Sequence, residues 1–188
     1  MLPALDYISP EGYLELERAA VDKHEYFKGE IVAMAGASLI HNRILANLMG
    51  NIIPYLKDKP RELFPSDLRV SVSSKQSFTY PDATIVCNEP DMLDDKSDTL
   101  KNPSVIFEVV SPSTEHNDRG RNFFFYMQIP EFREYIVISS TSYHIQTGRK
   151  QQDGSWKFED LRDLQALLQI DAIDHTIPLQ EIYANVRF

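Results

Sequence analysis

Two carboxylates and two guanidinium groups set the chemical question for this chain. Glu108 lies inside Ser104-Val105-Ile106-Phe107-Glu108-Val109-Val110, an apolar run of the kind that forms a buried strand. Acidic side chains are almost never fully buried unpartnered, because an ionised carboxylate stripped of water must pair with a cation or take up a proton. A metal, an arginine or a lysine would each serve. Upstream, Tyr80-Pro81-Asp82 opens a second strand-like run; downstream, Asp118-Arg119-Gly120-Arg121 belongs to a helix. Two acids and a basic helix bracketing strand ends point to a metal site rather than a packing accident.

Side chains alternate across a strand, so Asp82 shares a face with Tyr80, Thr84 and Val86, and Glu108 with Ile106 and Val110. If the two strands are neighbours, both carboxylates converge on one point, where their mutual repulsion calls for a compensating cation. Mg²⁺, or Mn²⁺ in its place, suits hard oxygen ligands, and the backbone carbonyl of Val109 could add another. A metal so held polarises a phosphate and supplies an activated water. Arg121 sits one turn before Phe125, so both share a helix face that should look toward the sheet and place the guanidinium near the acids. Plainer roles are a structural ion pair of Glu108 with Arg121 or Arg119, a strand-start position for Asp82 after proline, and a solvated Arg121. Three residues stand in a second rank. His41 falls in line with Leu45, Leu48 and Ile52 and reads first as a core-edge side chain; Glu25 and Glu30 flank a turn, where solvated carboxylates are the norm.

The elements that must position these groups can be read from punctuation and period. Ser9-Pro10-Glu11 is a helix start, with serine as N-cap and proline at the first helical position. Lys28-Gly29 is a two-residue hairpin turn between His24–Phe27 and Glu30–Met34. Ile40, Ile44, Leu48, Ile52 and Leu56 recur at helical spacing from Ser38 to Lys57, and Pro60 follows. Three strand candidates come next, Glu62–Val72, Phe78–Cys87 and Ser104–Val110, with a polar loop, Asn88–Asn102, before the last. A helix from Asp118 to Gln128, capped by Asn117 or Asp118 and closed by Pro130, precedes a strand over Phe132–Ser139. A hairpin over Ser142–Thr147 and Ser155–Glu159, a strand near Leu167–Ile170 and a short helix over Leu179–Tyr183 complete the chain. The expected architecture is α/β, of the mixed α+β kind: a mixed central sheet flanked by helices, with an N-terminal helix and hairpin and C-terminal strands added. The helix between the Ser104 and Phe132 strands marks that pair as parallel.

The 188 residues correspond to one domain spanning 1–188. The lone cysteine, Cys87, excludes an internal disulfide and reads as a small buried strand residue in a reducing compartment. No run approaches the roughly 20 apolar residues that span a bilayer, and Asp6 and Glu11 interrupt any secretory signal, so the expectation is a cytoplasmic protein without membrane contact. A net charge of -9 argues against a broad basic face for nucleic acid but not against a local basic groove.

Taken together, Tyr80-Pro81-Asp82, Phe107-Glu108-Val109-Val110-Ser111-Pro112-Ser113-Thr114 and Asp118-Arg119-Gly120-Arg121 with Tyr126 resemble the Uma-two family of restriction endonucleases, a branch of the PD-(D/E)XK nuclease-like superfamily. The resemblance extends to Glu25-Tyr26-Phe27-Lys28-Gly29-Glu30-Ile31, the His41 helix and Leu179-Gln180-Glu181-Ile182-Tyr183. Each piece is short; their order and spacing make the match specific. The resemblance implies a restriction-endonuclease-like core that cuts DNA with a metal, with Asp82 and Glu108 as Mg²⁺ ligands. The superfamily's lysine slot, two residues after Glu108, holds Val110, and the lysine that the family moves onto the next helix is Arg121 here. Arginine stabilises charge but does not exchange protons near neutral pH, so this departure touches catalysis rather than metal binding.

Two classes of function follow: a Mg²⁺-dependent endonuclease hydrolysing DNA phosphodiester bonds, and a binding or assembly module that keeps the nuclease fold with its chemistry weakened or lost. A two-carboxylate glycosidase ranks third, since nothing in the motif order supplies its sugar cleft. Cutting both strands of a duplex would favour a homodimer.

Overall fold

The computed structural model describes residues 7–34, 36–72, 77–111 and 117–188, the side chains of 117–119 excepted. Ser9 caps the first helix, its Oγ accepting the Gly12 N–H at 3.0 Å, and α1 runs over Pro10–Ala19. The hairpin follows as β1 (His24–Phe27) and β2 (Glu30–Ala33). Its turn residues Lys28 and Gly29 have φ of 48° and 104°; left-handed backbone at both positions is what the twist of a two-residue hairpin requires. Ser38 then caps α2 (Leu39–Leu56), which buries Ile44, Leu48, Ile52 and Leu56 along one stripe.

Two expected strands are each broken in two. Glu62–Val72 becomes β3 (Glu62–Pro65) and β4 (Arg69–Val72). Phe78–Cys87 becomes β5 (Ser77–Thr79) and β6 (Ala83–Val86), interrupted at Tyr80-Pro81-Asp82. Pro81 has no N–H for a ladder, and the N–H of Asp82 turns to the Glu108 carboxylate instead. The break moves the chain from one sheet to another. The polar loop contributes β7 (Thr99–Leu100), parallel to β4. After β8 (Val105–Val110), the expected helix divides into a π-helical turn over Asn117–Asn122 and α3 (Phe123–Tyr126). Next come β9 (Glu134–Ser139), β10 (Ile145–Lys150), β11 (Trp156–Leu161) and β12 (Leu167–Ile170). β12 pairs with an unanticipated β13 (His175–Pro178), and α4 (Leu179–Ile182) closes the fold.

The larger sheet has the order β11-β10-β9-β8-β6-β3 and the smaller β2-β1-β5-β4-β7. β8 and β9 are parallel, as the crossover helix requires, while β6 joins β8 antiparallel, making the sheet mixed. One face of the larger sheet packs on α2 and α4, burying Ala83, Ile85, Val105, Phe107, Val109, Ile136 and Ile138 against Ile44, Leu48 and Ile52. The opposite face presents Ile106, Val110, Tyr135 and Val137 to Phe27, Val70 and Val72 of the smaller sheet, with Phe125 and Tyr126 of α3 filling the layer. α1 covers the outside of the smaller sheet through Tyr13 and Leu14 against Tyr26 and Phe78. Among the described residues, no helix is long and apolar enough to cross a membrane.

Candidate active site

The ladder between β6 and β8 ends at Ala83 opposite Phe107, so the next residues in register are Asp82 and Glu108. Asp82 and Glu108 thus stand opposite each other where the ladder ends. The Asp82 N–H approaches Glu108 Oε2 at 3.4 Å, and Asp82 Oδ2 accepts the Val109 N–H at 2.7 Å. N–H and C=O of one strand residue point to the same side, so the Val109 carbonyl lies on this edge of β8 too. Val110 faces the other way, its carbonyl accepting from Ser140.

Each acid is held from a different layer. His41, in the first turn of α2, places Nε2 2.9 Å from Asp82 Oδ1, with both side chains less than one-fifth exposed. Its place on the α2 stripe thus leads to the site rather than the core. Glu108 shares its sheet face with Ile106 and Val110, points into the layer between the sheets, and is 7% exposed. There the Tyr126 hydroxyl lies 3.2 Å from Glu108 Oε1 and 3.0 Å from Thr79 Oγ1. Burial first, and the Glu108 charge second, push the Tyr126 phenol far above its ordinary pKa, so it stays protonated.

Glu25 and Glu30 part company. Glu25 lies on the same side of β1 as Phe27, takes the Tyr80 N–H on Oε1 at 3.4 Å, and adds its charge to the field on Tyr126. Glu30 is exposed at the start of β2, and no contact among the described residues joins it to this cluster. Arg121 and Phe125 do share a face, and that face looks into the layer between the sheets. The Arg121 guanidinium carbon lies over the Phe27 ring, 3.6 Å from its centroid, and the Phe27 and Phe125 ring centroids are 5.7 Å apart. Among the described residues its partner is an aromatic ring, not a carboxylate. Arg121 Nε is buried without a hydrogen-bond partner among the described residues. Val110, in the lysine slot, is 3% exposed within the apolar layer. Pro112, Ser113 and Thr114, and the Arg119 side chain, lie outside what is described.

A buried network that the sequence reading did not assemble anchors the break before Asp82. Tyr80 donates to Glu17 Oε1 at 2.9 Å and accepts from Arg69 at 3.0 Å; Arg69 also holds Thr99 and Asp98, and Arg18 bridges Asp98 and Asp94. Its members are far apart in sequence, and only an arginine inside the strand Arg69-Val70-Ser71-Val72 hinted at it.

Among the described residues, no group of three His, Cys, Asp or Glu side chains is arranged to hold a metal. Asp82 and Glu108 offer a two-carboxylate, all-oxygen set, the kind that Mg²⁺ accepts while keeping several waters. The donor chemistry fits that ion.

A mixed sheet flanked by helices, with a carboxylate pair where β6 and β8 part, is the restriction-endonuclease-like class of fold. A crystal structure from Anabaena variabilis ATCC 29413, described as "a putative nuclease belonging to DUF820", superimposes with a TM-score of 0.78 over 94% of this chain and 98% of that one, at 17% identity. Residues 10–179 match the Uma2 family, described as "Putative restriction endonuclease", and this chain belongs to that family. Two relatives come from Synechocystis sp. (strain ATCC 27184 / PCC 6803 / Kazusa). "Uncharacterized protein slr1290" is 34% identical over 181 residues, covering 96% of this chain and 94% of its own, and "Uncharacterized protein sll1609" is 36% identical over 149 residues, covering 79% and 84%.

Proposed function

We propose that this protein hydrolyses DNA phosphodiester bonds with a divalent ion, Mg²⁺ or Mn²⁺, held by Asp82 and Glu108. The observation that carries the reading is the approach of Asp82 N to Glu108 Oε2 at 3.4 Å, which brings two acids from adjacent strands together where the ladder ends. Like charges are gathered at such a point where a cation is to be bound. When bound, the ion supplies the charge that polarises a phosphate and lowers the pKa of a water. The chain's own residues fix the acids: Val109 N–H and His41 orient Asp82, and Tyr126 reaches Glu108. Arg121, stacked on Phe27 without a carboxylate partner among the described residues, keeps its charge available for a phosphate oxygen. It cannot serve as the proton carrier, so its part is charge stabilisation. Cleavage of both strands of a duplex would call for a two-fold pair of these chains.

Val110 supports a second reading, a nuclease-fold module that binds metal or DNA without turnover, because the lysine slot is filled by a side chain 3% exposed in an apolar layer. Supercoiled, linear duplex and single-stranded DNA incubated with Mg²⁺ or Mn²⁺, with Glu108→Ala as control, separates the two. Metal-dependent cleavage lost in Glu108→Ala supports the enzyme. Mn²⁺ binding without cleavage of any DNA form supports the module, and absence of both overturns both readings.

A further inference from the structure

Tyr126 has no solvent contact, yet it carries a hydroxyl that phenylalanine would have spared the layer. Its ring is fixed by Phe132 and Tyr135, each at a centroid distance of 5.8 Å. The hydroxyl sits between Thr79 Oγ1 and Glu108 Oε1. A phenol has one proton to give, and an ionised carboxylate can only accept. The single phenol proton can serve Glu108 only if the Thr79 hydroxyl, 3.0 Å away, donates in turn to the phenol oxygen. The relay runs Thr79 to Tyr126 to Glu108 and joins β5, α3 and β8 three residues before Asp82.

We propose that Tyr126, oriented by Thr79, is a positioning residue for Glu108: its O–H fixes Oε1 in the layer between the sheets and leaves Oε2 turned to Asp82. The inference rests on the reading of Asp82 and Glu108 as a metal-binding pair. Rotating the Glu108 carboxylate would need either the loss of this bond or movement of a ring packed on two sides. Groups that orient a metal ligand in this way typically change metal affinity about 10–100-fold when removed.

The test is Mn²⁺ binding, followed by the electron paramagnetic resonance signal of the free ion, for wild type, Tyr126→Phe, Thr79→Val and Thr79→Ser. Tyr126→Phe keeps the ring and is expected to raise Kd by about 10–100-fold with its far-ultraviolet circular dichroism unchanged. Thr79→Val should weaken binding in the same direction, and Thr79→Ser, which restores the hydroxyl, should bind as wild type does. Equal affinity in wild type and Tyr126→Phe overturns the positioning role alone. If wild type itself binds no Mn²⁺, the metal reading fails and the inference with it. Weakened binding in Thr79→Ser equal to that in Thr79→Val would show that packing, not the hydroxyl, matters at position 79 and would remove Thr79 from the relay.

Discussion

Asp82→Asn changes the charge of the acid pair while keeping its shape. The asparagine carbonyl can still accept the Val109 N–H that Asp82 Oδ2 now takes at 2.7 Å, so no buried donor is orphaned. Replacing a charged acceptor with a neutral one, here and at His41, costs about 1–2 kcal/mol. Removing one of two neighbouring negative charges offsets a similar amount, because like charges on adjacent strands repel. Without metal the two effects nearly cancel. Each kcal/mol moves the melting temperature of a chain this long by about 2–4 °C, so the metal-free Tm should stay within about 4 °C of wild type. Metal separates the proteins. At a Mn²⁺ concentration 100 times its Kd, wild type gains about 2.7 kcal/mol, or roughly 5–11 °C. If losing one of two carboxylates raises Kd about 100-fold, the variant gains about 0.4 kcal/mol at the same concentration. Far-ultraviolet circular dichroism melts in EDTA and in Mn²⁺ measure both differences. An equal Mn²⁺ shift in the two proteins would refute metal binding at Asp82. A loss of more than about 8 °C in EDTA would make Asp82 a structural residue instead.

Three further outcomes are expected. On the proposed function, Arg121→Lys should raise Mg²⁺-dependent cleavage, because it restores a cation that can exchange protons; no change in rate would show that proton exchange at this position does not limit the reaction. Arg69→Met removes the 2%-exposed guanidinium that holds Asp98, Tyr80 and Thr99. It should cost about 3 kcal/mol, the low end for breaking a buried pair because Asp98 is partly solvated, which thermal denaturation would register as a fall of roughly 6–12 °C. Asp98→Asn should lower stability at neutral pH by an amount that shrinks in acid. Hydrogen bonds from Arg18, then Thr99, and the Arg69 charge hold the Asp98 carboxyl well below its usual range. The folded state thus binds the proton less readily than the unfolded one, and the stability it contributes is present above the ordinary aspartate pKa and lost as pH falls below about 4. Melting curves of both proteins from pH 7 to pH 2 should converge, and a constant gap would refute the linkage.

Local chemistry was readable where a single segment determines it. Ser9 and Ser38 cap helices because a serine Oγ can reach an N–H three residues on, and α2 follows from its own apolar spacing. The parallel pairing of β8 with β9 follows from the helix between them. The break at Tyr80-Pro81-Asp82 was illegible as a break, since Phe78–Cys87 has a continuous strand pattern and the bend depends on a carboxylate 26 residues away. Arg69 shows the same limit: inside an apolar strand it reads as a solvent-facing position, and only the fold brings Asp98, Tyr80 and Thr99 around it. At the site, the neighbouring of Asp82 and Glu108 on adjacent strands is legible from the sequence, whereas the contact of Tyr126 with Glu108 is not, because a tyrosine in an aromatic run reads as core until its hydroxyl is seen facing an acid.

The exchange of a strand lysine for a helix arginine has a physical logic in this layer. Position 110 shares its sheet face with Glu108 and faces Phe27, Val70, Val72 and Phe125, where an ammonium would be desolvated and would tend to lose its proton. A valine completes that layer without such a cost. Arg121 brings positive charge into the same layer from the side, its planar guanidinium stacked on Phe27, an arrangement that an ammonium cannot match in area. The price is chemical: a buried lysine can be tuned to give or take a proton, and arginine cannot. On the proposed function the rate should follow the charge near the phosphate more than any basic side chain at position 121, so Arg121→Gln, neutral and unable to stack as a cation, should reduce cleavage far more than Arg121→Lys alters it. Similar rates for Arg121→Gln and wild type would overturn that account.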